Sequence, residues 1–249
     1  MSLRSGKLPF LGSEDEFFNH KGYPLECFIM RTYHFLSGDD ALDDISNRHL
    51  KLSEIDKLND PFELWCTAQG DKELRRDLRK WKAEMAEKYG MLCFCLHWHN
   101  PVLWSHYADR HRGICLGFDV PDNSIKAVQY VASRTPLRFP LTEAAIQKLL
   151  FTKYRDWNYE EEWRGWFRLD TRDQATGLFF YDFDEKIQLR EVIVGPLCEI
   201  PRSKIEAAIG GYIGPVHIVK ARLAFKTFRV VTNKIGFANS RTNNRNTAT

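Results

Sequence analysis

The strongest constraint on the fold is a short stretch, residues 103–120, in which helical spacing, a glycine and an apolar run follow one another: LWSHYADRHRGICLGFDV. Asn100 and Pro101 precede it, and these residue types favour the cap and the first turn of a helix. Gly113 is typical of a helix end, and the apolar residues 114–118 then indicate a buried strand. We therefore expect a short helix, a tight turn and a core strand.

Two polar aromatic residues lie on this predicted helix. At helical spacing Leu103, His106 and Tyr107 share one face, so both polar rings would point toward whatever Leu103 packs against. A functional site explains this pattern, and so does a buried Tyr and His that each make one hydrogen bond. Both interpretations stay open from the sequence.

Runs of strand and helix character alternate irregularly along the rest of the chain. The runs typical of strands are residues 27–35, 49–52, 124–132, 179–183, 186–195 and 216–231. The runs with helical spacing are residues 38–47, 70–89, 141–154 and 201–210, with Thr142 expected as a cap. This order predicts an α+β fold in a single domain, with a mixed or antiparallel twisted β-sheet core and flanking helices. We place the domain at residues 27–232, after an N-terminal extension at 1–26 and before a disordered tail at 233–249.

Apolar content and cysteine usage bear on location. No apolar run approaches the roughly 20 residues needed to cross a bilayer, and the first residues lack the pattern of an export signal. The six cysteines are irregularly spaced and mostly lie within apolar runs. They fit reduced, buried thiols better than a disulfide framework. We therefore expect a cytoplasmic protein with no membrane contact, and the oligomeric state stays open.

Positive charge is concentrated near the C-terminus. From residue 207 onward there are seven Lys and Arg residues and no acidic residue. Lys220, Arg222 and Lys226 are expected on one face of the closing strands, which would suit the phosphates of a nucleic acid. A basic edge strand with a solvated tail gives the same count, so this interpretation also stays open.

The alternating residues Cys93, Cys95, His97 and His99 have side chains that suit zinc. On a straight strand, residues two apart are separated by about 7 Å, which is too far for neighbouring ligands to meet at one ion. We therefore expect no metal here. Motifs of the types GxxxxGK[ST], GxGxxG and GxSxG are also absent from the sequence, which removes the commonest nucleotide-binding and hydrolase assignments.

The run at residues 153–168, KYRDWNYEEEWRGWFR, combines carboxylates with an arginine. If the run is extended, Glu160, Glu162 and Arg164 lie on one face, and the arginine can hold a carboxylate ionised and oriented. A catalytic acid and a structural ion pair both fit this pattern. Glu63, after the turn-forming residues Asn-Asp-Pro, is a further candidate.

Four segments together resemble, in this order, a bacterial family known as domain of unknown function 2971. The segments are RTYHFLSGDDALDDISNRHLKLSEIDKLNDPFE, CFCLHWHNPVLWSHYADRHRGICLGFD, WNYEEEWR and LREVIVG. The resemblance covers roughly residues 28–209, and it implies no activity.

A weaker resemblance does imply one. The first strand ending in Tyr33 and His34, a short helix, a strand with Ser53 and a late strand opened by Glu191 are similar to ADP-ribosyltransferase folds, including their DNA-modifying toxin branch. The chain departs from that pattern in lacking a clear Ser-Thr-Ser strand and in offering two candidate glutamates. NAD is the implied substrate, with no metal.

The resemblance implies roles for Tyr33, His34 and Tyr107 and makes Glu191 or Glu162 the catalytic acid. The polar and aromatic patterns of the sequence add Trp104, Arg164 and His106 as candidates. The NAD-binding group is Tyr33, His34, Tyr107, Trp104 and Arg164, with Tyr107 stacked on nicotinamide. The catalytic group is Glu191, Glu162 and His106. The leading hypothesis is an enzyme that uses NAD to ADP-ribosylate a macromolecule in a defence or toxin setting. The alternatives are a non-catalytic nucleic-acid-binding module and a metal-dependent nuclease that uses Glu160 and Glu162.

Overall fold

A computed structural model describes residues 27–237 of the chain. The helices are α1 (Gly38–Asn47), α2 (Lys72–Lys88), α3 (Pro101–Tyr107), α4 (Glu143–Leu150) and α5 (Arg202–Ile209). The longer strands are β1 (Ile29–Leu36), β4 (Tyr89–Cys95), β5 (Ile114–Pro121), β9 (Glu162–Arg168), β11 (Gln188–Val194) and β12 (His217–Leu223). The shorter strands are β2 (His49–Lys51), β3 (Ser53–Glu54), β6 (Lys126–Ala127), β7 (Gln129–Val131), β8 (Thr152–Tyr154), β10 (Phe180–Asp182) and β13 (Val230–Thr232).

One large sheet organises these elements. Its strand order is β13-β12-β11-β5-β1-β4-β9-β6, and β3 also pairs with β4. All neighbours are antiparallel except β11 and β12, which α5 connects in parallel. Two small sheets, β10 with β2 and β7 with β8, lie apart from it. The predicted α+β fold with a mixed sheet and flanking helices is confirmed.

The two faces of the large sheet bury different cores. On one face, which we call the α1 face, α1 and α5 cover a continuous apolar cluster that includes Phe94, Phe118 and Val192. The other face, which we call the α3 face, carries two separate clusters. One lies under α3 around Trp104, and the other lies under α2 and α4 around Trp166.

Local capping follows the sequence closely. The side chain of Asn100 accepts a hydrogen bond from the backbone of Val102, and Thr142 accepts one from Ala145. Both predicted caps are therefore confirmed, as is Pro101 at the first position of α3.

Three predicted elements are wrong in detail. Residues 141–154 are not one helix, because the chain leaves α4 at Phe151 and then pairs as β8 with β7. Residues 124–132 are not one strand, since Ser124 belongs to a 3-10 turn and β6 and β7 pair with different partners. On α3, His106 is exposed and does not share the buried face with Leu103, because Leu103 and Trp104 form that face.

The proposed N-terminal extension lies outside the described residues, and so does the proposed tail from residue 238 onward. Within residues 27–237, no helix has the length and apolar character required to span a bilayer.

Candidate active site

Three segments that are distant in the sequence meet through Tyr107. Its hydroxyl donates a hydrogen bond to Oε1 of Glu160 at 2.5 Å and accepts one from Nδ2 of Asn59 at 3.3 Å. These residues come from the NDPFE, LWSHYADRHRG and WNYEEEWR segments. The most distinctive parts of the sequence therefore build one site.

A buried ion cluster lies directly behind this contact. We use that name for Glu63, Lys153, Glu160, Glu162 and Arg164, all of which are at most 7% exposed. The Arg164 guanidinium donates to both oxygens of Glu63 at 2.7 and 3.0 Å and to both oxygens of Glu162 at 2.6 and 2.9 Å. Lys153 Nζ donates to Glu160 at 2.5 Å and to Glu162 at 3.2 Å.

Strand pairing explains the position of this cluster. Glu162 and Arg164 are alternate residues of β9, and they face Cys95 and Cys93 on β4. They therefore project from the α3 face of the sheet, between its two apolar clusters. Because charges buried there lose their hydration, each carboxylate needs a cation within hydrogen-bond distance.

Two carboxyl groups of the cluster, those of Glu160 and Glu162, differ in their proton affinity. Burial opposes ionisation of Glu162, yet Arg164 and Lys153 bring its pKa down to about 2. Burial raises the pKa of Glu160, and Lys153 offsets only part of that rise. Glu160 therefore binds a proton more readily than Glu162, as an acid or base in catalysis must.

Glu160 also lies at the wall of a cleft of about 340 Å³, a volume typical of small-molecule sites. The lining residues include His97, His99, Asn100, Tyr159, Glu161 and Arg229. Glu161 has a left-handed backbone (φ 45°), which a non-glycine residue rarely adopts. The Tyr159 hydroxyl lies 3.2 Å from Nδ1 of the exposed His106.

A second polar group surrounds Glu191. The Tyr33 hydroxyl donates to its Oε2 at 3.1 Å, and an Arg31 nitrogen lies 3.3 Å from its Oε1. Arg31 also binds Asp119, which in turn binds Arg190. Gly117 of β5 lies between Tyr33 on β1 and Glu191 on β11. A Cβ at Gly117 would come within 2.9 Å of Glu191 Cβ and 3.1 Å of the Tyr33 ring. The glycine thus makes the contact between Tyr33 and Glu191 possible.

The structure separates other residues that the sequence grouped together. His34 lies on the α1 face, opposite Tyr33, where its Nδ1 is 2.7 Å from the Cys93 carbonyl oxygen and its ring packs on Phe94. Trp104 is fully buried and donates its indole N–H to the Trp98 carbonyl. Arg164 uses its guanidinium within the ion cluster. No ligand-accessible surface remains on Trp104 or Arg164.

The alternating Cys and His residues do not converge. Cys93 contacts Glu162, and Cys95 Sγ lies 3.3 Å from the His97 carbonyl oxygen. His99 uses Nδ1 on the Val230 carbonyl at 2.8 Å. Glu160 and Glu162, the carboxylates considered for a nuclease metal, are instead bound by Lys153 and Arg164.

Of the three basic residues considered for nucleic acid, Lys220 is engaged internally. Its Nζ donates to the carbonyls of Gly195 and Cys198 at 2.7 and 2.8 Å. Arg222 lies over the ring of Phe225 at 4.4 Å, and Lys226 is exposed.

Sequence reasoning missed Asn59, Lys153 and Arg229 as site residues. Asn59 belongs to a segment that was interpreted only as a turn, and Lys153 falls in the stretch predicted as a helix. Asn59 lies within the distinctive segment NDPFE and Lys153 lies just before WNYEEEWR, whereas Arg229 is near neither segment. Comparison of the chain with family models, curated proteins and solved structures gave no match.

Proposed function

We propose that the protein is an enzyme that breaks the bond between nicotinamide and ribose in NAD and transfers ADP-ribose to a macromolecule. The observation that carries this proposal is the position of Glu160: a carboxyl group with a raised pKa, held by Tyr107 and Lys153, at the wall of a cleft. We also propose membership of the domain of unknown function 2971 family, because four segments of the chain resemble it and three of them meet at this site.

The chemistry requires a base and a way to hold a charged sugar. The C1′–N1 bond breaks with its electron pair leaving on nicotinamide, the acceptor forms the new bond to C1′, and the acceptor proton passes to Glu160. A carboxylate beside the sugar also stabilises its developing positive charge. Both oxygens of Glu160 are oriented, by Tyr107 and by Lys153, and each keeps a lone pair that can accept a further hydrogen bond.

The cleft supplies groups that suit the rest of NAD. Arg229 can face the pyrophosphate, since guanidinium groups bind phosphate in a bidentate manner. Tyr159 and Phe228 offer aromatic surface for the nicotinamide ring. This assignment makes Glu160 the catalytic carboxylate, whereas the sequence offered Glu162 and Glu191. Both oxygens of Glu162 are bound by Arg164.

Release of nicotinamide from NAD tests the proposal. We expect turnover by the wild-type protein, and a loss of 100-fold or more in Glu160→Gln, within the usual range of about 10²–10⁴ for a group that transfers a proton. Glu87→Gln, an exposed glutamate on α2, is the matched control and should retain full turnover. Equal turnover in Glu160→Gln and wild type would contradict the assignment.

Thermal unfolding with millimolar NAD gives an independent reading. A ligand that binds only the folded state raises the unfolding midpoint. We expect a rise in wild type that is reduced in Arg229→Gln. If NAD neither turns over nor raises the midpoint, the enzymatic proposal fails.

A second candidate, binding of single-stranded nucleic acid, is favoured by the loop between β12 and β13. Phe225 and Phe228 in this loop are 90% and 96% exposed, beside Arg222, Lys226 and Arg229. Aromatic rings next to cations suit unpaired bases and their phosphates.

Fluorescence anisotropy with a labelled single-stranded oligonucleotide separates this candidate from the first. We expect affinity to fall steeply with salt and to be weakened in Phe225→Ala and Lys226→Gln. Lys220→Gln should leave the salt dependence unchanged, since its ammonium group is bound to backbone carbonyls. Absence of binding at low salt would remove this candidate.

A further inference from the structure

A third polar cluster lies on the α1 side of the large sheet, away from the cleft. Asp43 and Asp44 are consecutive residues of α1, and His49 opens β2. Their ligand atoms all lie within 4.8 Å of one another, and within residues 27–237 this is the one group of three or more His, Cys, Asp or Glu residues with that spacing.

The cluster contains buried polar atoms that lack a partner. Asp44 is 2% exposed, and its Oδ2 makes no hydrogen bond; Nε2 of His49 is likewise buried without a hydrogen bond. Buried polar groups are almost always paired, because an unpaired one loses its hydration without compensation. Both atoms are therefore available to bind a ligand.

The distances match shared coordination better than direct hydrogen bonding. Nε2 of His49 lies 3.5 Å from Oδ2 of Asp43 and 3.6 Å from Oδ1 of Asp44. Hydrogen bonds between such atoms are normally about 2.7–3.2 Å long. Two ligand atoms that each lie about 2.1 Å from one ion at the tetrahedral angle are about 3.4 Å apart.

The surrounding structure holds the side chains in place. The His49 ring is stacked on Phe180 of β10, with centroids 3.9 Å apart and planes at 13°. Arg48, between helix and strand, has a left-handed backbone and donates hydrogen bonds to the carbonyls of Ala208, Ile209 and Gly210. Asn47 donates to Oδ1 of Asp43, which orients the outer carboxylate.

We propose that Asp43, Asp44 and His49 form a binding site for a divalent transition-metal ion such as Zn²⁺ or Mn²⁺. One imidazole and two carboxylates are a donor set that these ions accept. The Asp43 side chain is 61% exposed, so an ion can enter from solvent and keep water at its remaining positions. The site is separate from the cleft, and it does not depend on the proposed function.

Metal binding to the full chain, stripped with a chelator, tests this proposal. Titration calorimetry with ZnCl₂ or with MnCl₂ alone should show one site per chain. In thermal unfolding, the bound ion should raise the midpoint. Asp44→Asn and His49→Gln should each weaken that site by more than about 10-fold, the lower end of the effect of altering an outer-shell partner. Asp39→Asn, an exposed change on the same helix, is the matched control and should bind like wild type.

Two outcomes would overturn the site. The first is no binding of either ion to the wild-type protein at an ion concentration of about 100 µM, which is well above the dissociation constants of structural metal sites. The second is binding that Asp44→Asn and His49→Gln leave unchanged, which would mean that other residues hold the ion. Asp44→Asn replaces a buried carboxylate with a neutral amide of the same shape, so we expect the variant to fold.

Discussion

Glu162 and Glu191 lie on one row across the large sheet and face the same side. Register links Glu191 to Gly117, Gly117 to Tyr33, Tyr33 to Cys95 and Cys95 to Glu162. At about 4.8 Å per strand, the four steps separate the two glutamates by about 19 Å. They belong to different polar groups, and they cannot act on the same atom.

This separation predicts independent effects on stability. Substitutions more than about 10 Å apart usually add to within about 0.5 kcal/mol. We therefore expect the free energy changes of Glu162→Gln and Glu191→Gln to sum in the double variant. Tyr33→Phe with Glu191→Gln should instead be non-additive, because the two side chains share a hydrogen bond. Chemical denaturation of the single and double variants measures both couplings, and strong coupling between the two glutamates would contradict the register.

Arg164 should be the most sensitive position of the buried ion cluster. Arg164→Met leaves Glu63 and Glu162 buried without the guanidinium, and removing one partner of a buried pair destabilises a protein by about 3–5 kcal/mol. Arg168→Met is the control from the same strand, since Arg168 pairs with Asp170 at the surface. We expect the control to change the free energy of unfolding by less than about 1 kcal/mol. Similar values for the two variants would mean that the cluster does not stabilise the fold.

Acid should destabilise the protein through Glu162. Its pKa falls from an ordinary value of 4.5 to about 2 in the folded state, so between these values the unfolded chain binds more protons. The stabilisation is present above pH 4.5 and is lost as the pH falls toward 2. Unfolding midpoints measured across this range should fall less steeply in Glu162→Gln than in wild type. Glu87→Gln should follow the wild-type curve.

Gly117 should not tolerate a side chain. A Cβ at this position would come within 2.9 Å of Glu191 and 3.1 Å of Tyr33, so the pair must separate or the strands must shift. We expect Gly117→Ala to destabilise the protein by about 1–3 kcal/mol, as overpacking does. Gly70→Ala places its methyl group where nothing lies within 4 Å, and it should be nearly neutral. A neutral Gly117→Ala would show that the contact between Tyr33 and Glu191 is not constrained.

Local signals in the sequence predicted local structure well. The caps at Asn100 and Thr142 depend on residues one to three positions away, and the bounds predicted for α1 agree with the structure. The site itself depends on pairing between distant strands. Lys153 lies on β8, which pairs with β7, and it contacts Glu160 at the end of the following 3-10 turn; neither helical spacing nor charge pattern encodes this arrangement.

The sequence also could not predict which face of the short helix α3 is buried. His106 and Trp104 both fit a functional pattern, and only the packing of α3 on the sheet decides which ring is exposed. Glu162 and Arg164 do lie on one face of β9 and contact each other, as the sequence indicated for an extended run. However, Glu160 ends a 3-10 turn rather than lying in the strand.

The buried ion cluster has a consequence for how the chain reaches its folded state. It divides the α3 face into two apolar clusters, so hydrophobic collapse can assemble each half without joining them. Bringing the two apolar clusters together requires the five charged side chains of the ion cluster to lose their hydration. The ion pairs offset that cost only when both cations are in contact with the carboxylates. We therefore expect the buried ion cluster to form late and cooperatively in folding. Substitutions in the cluster should accelerate unfolding rather than slow folding.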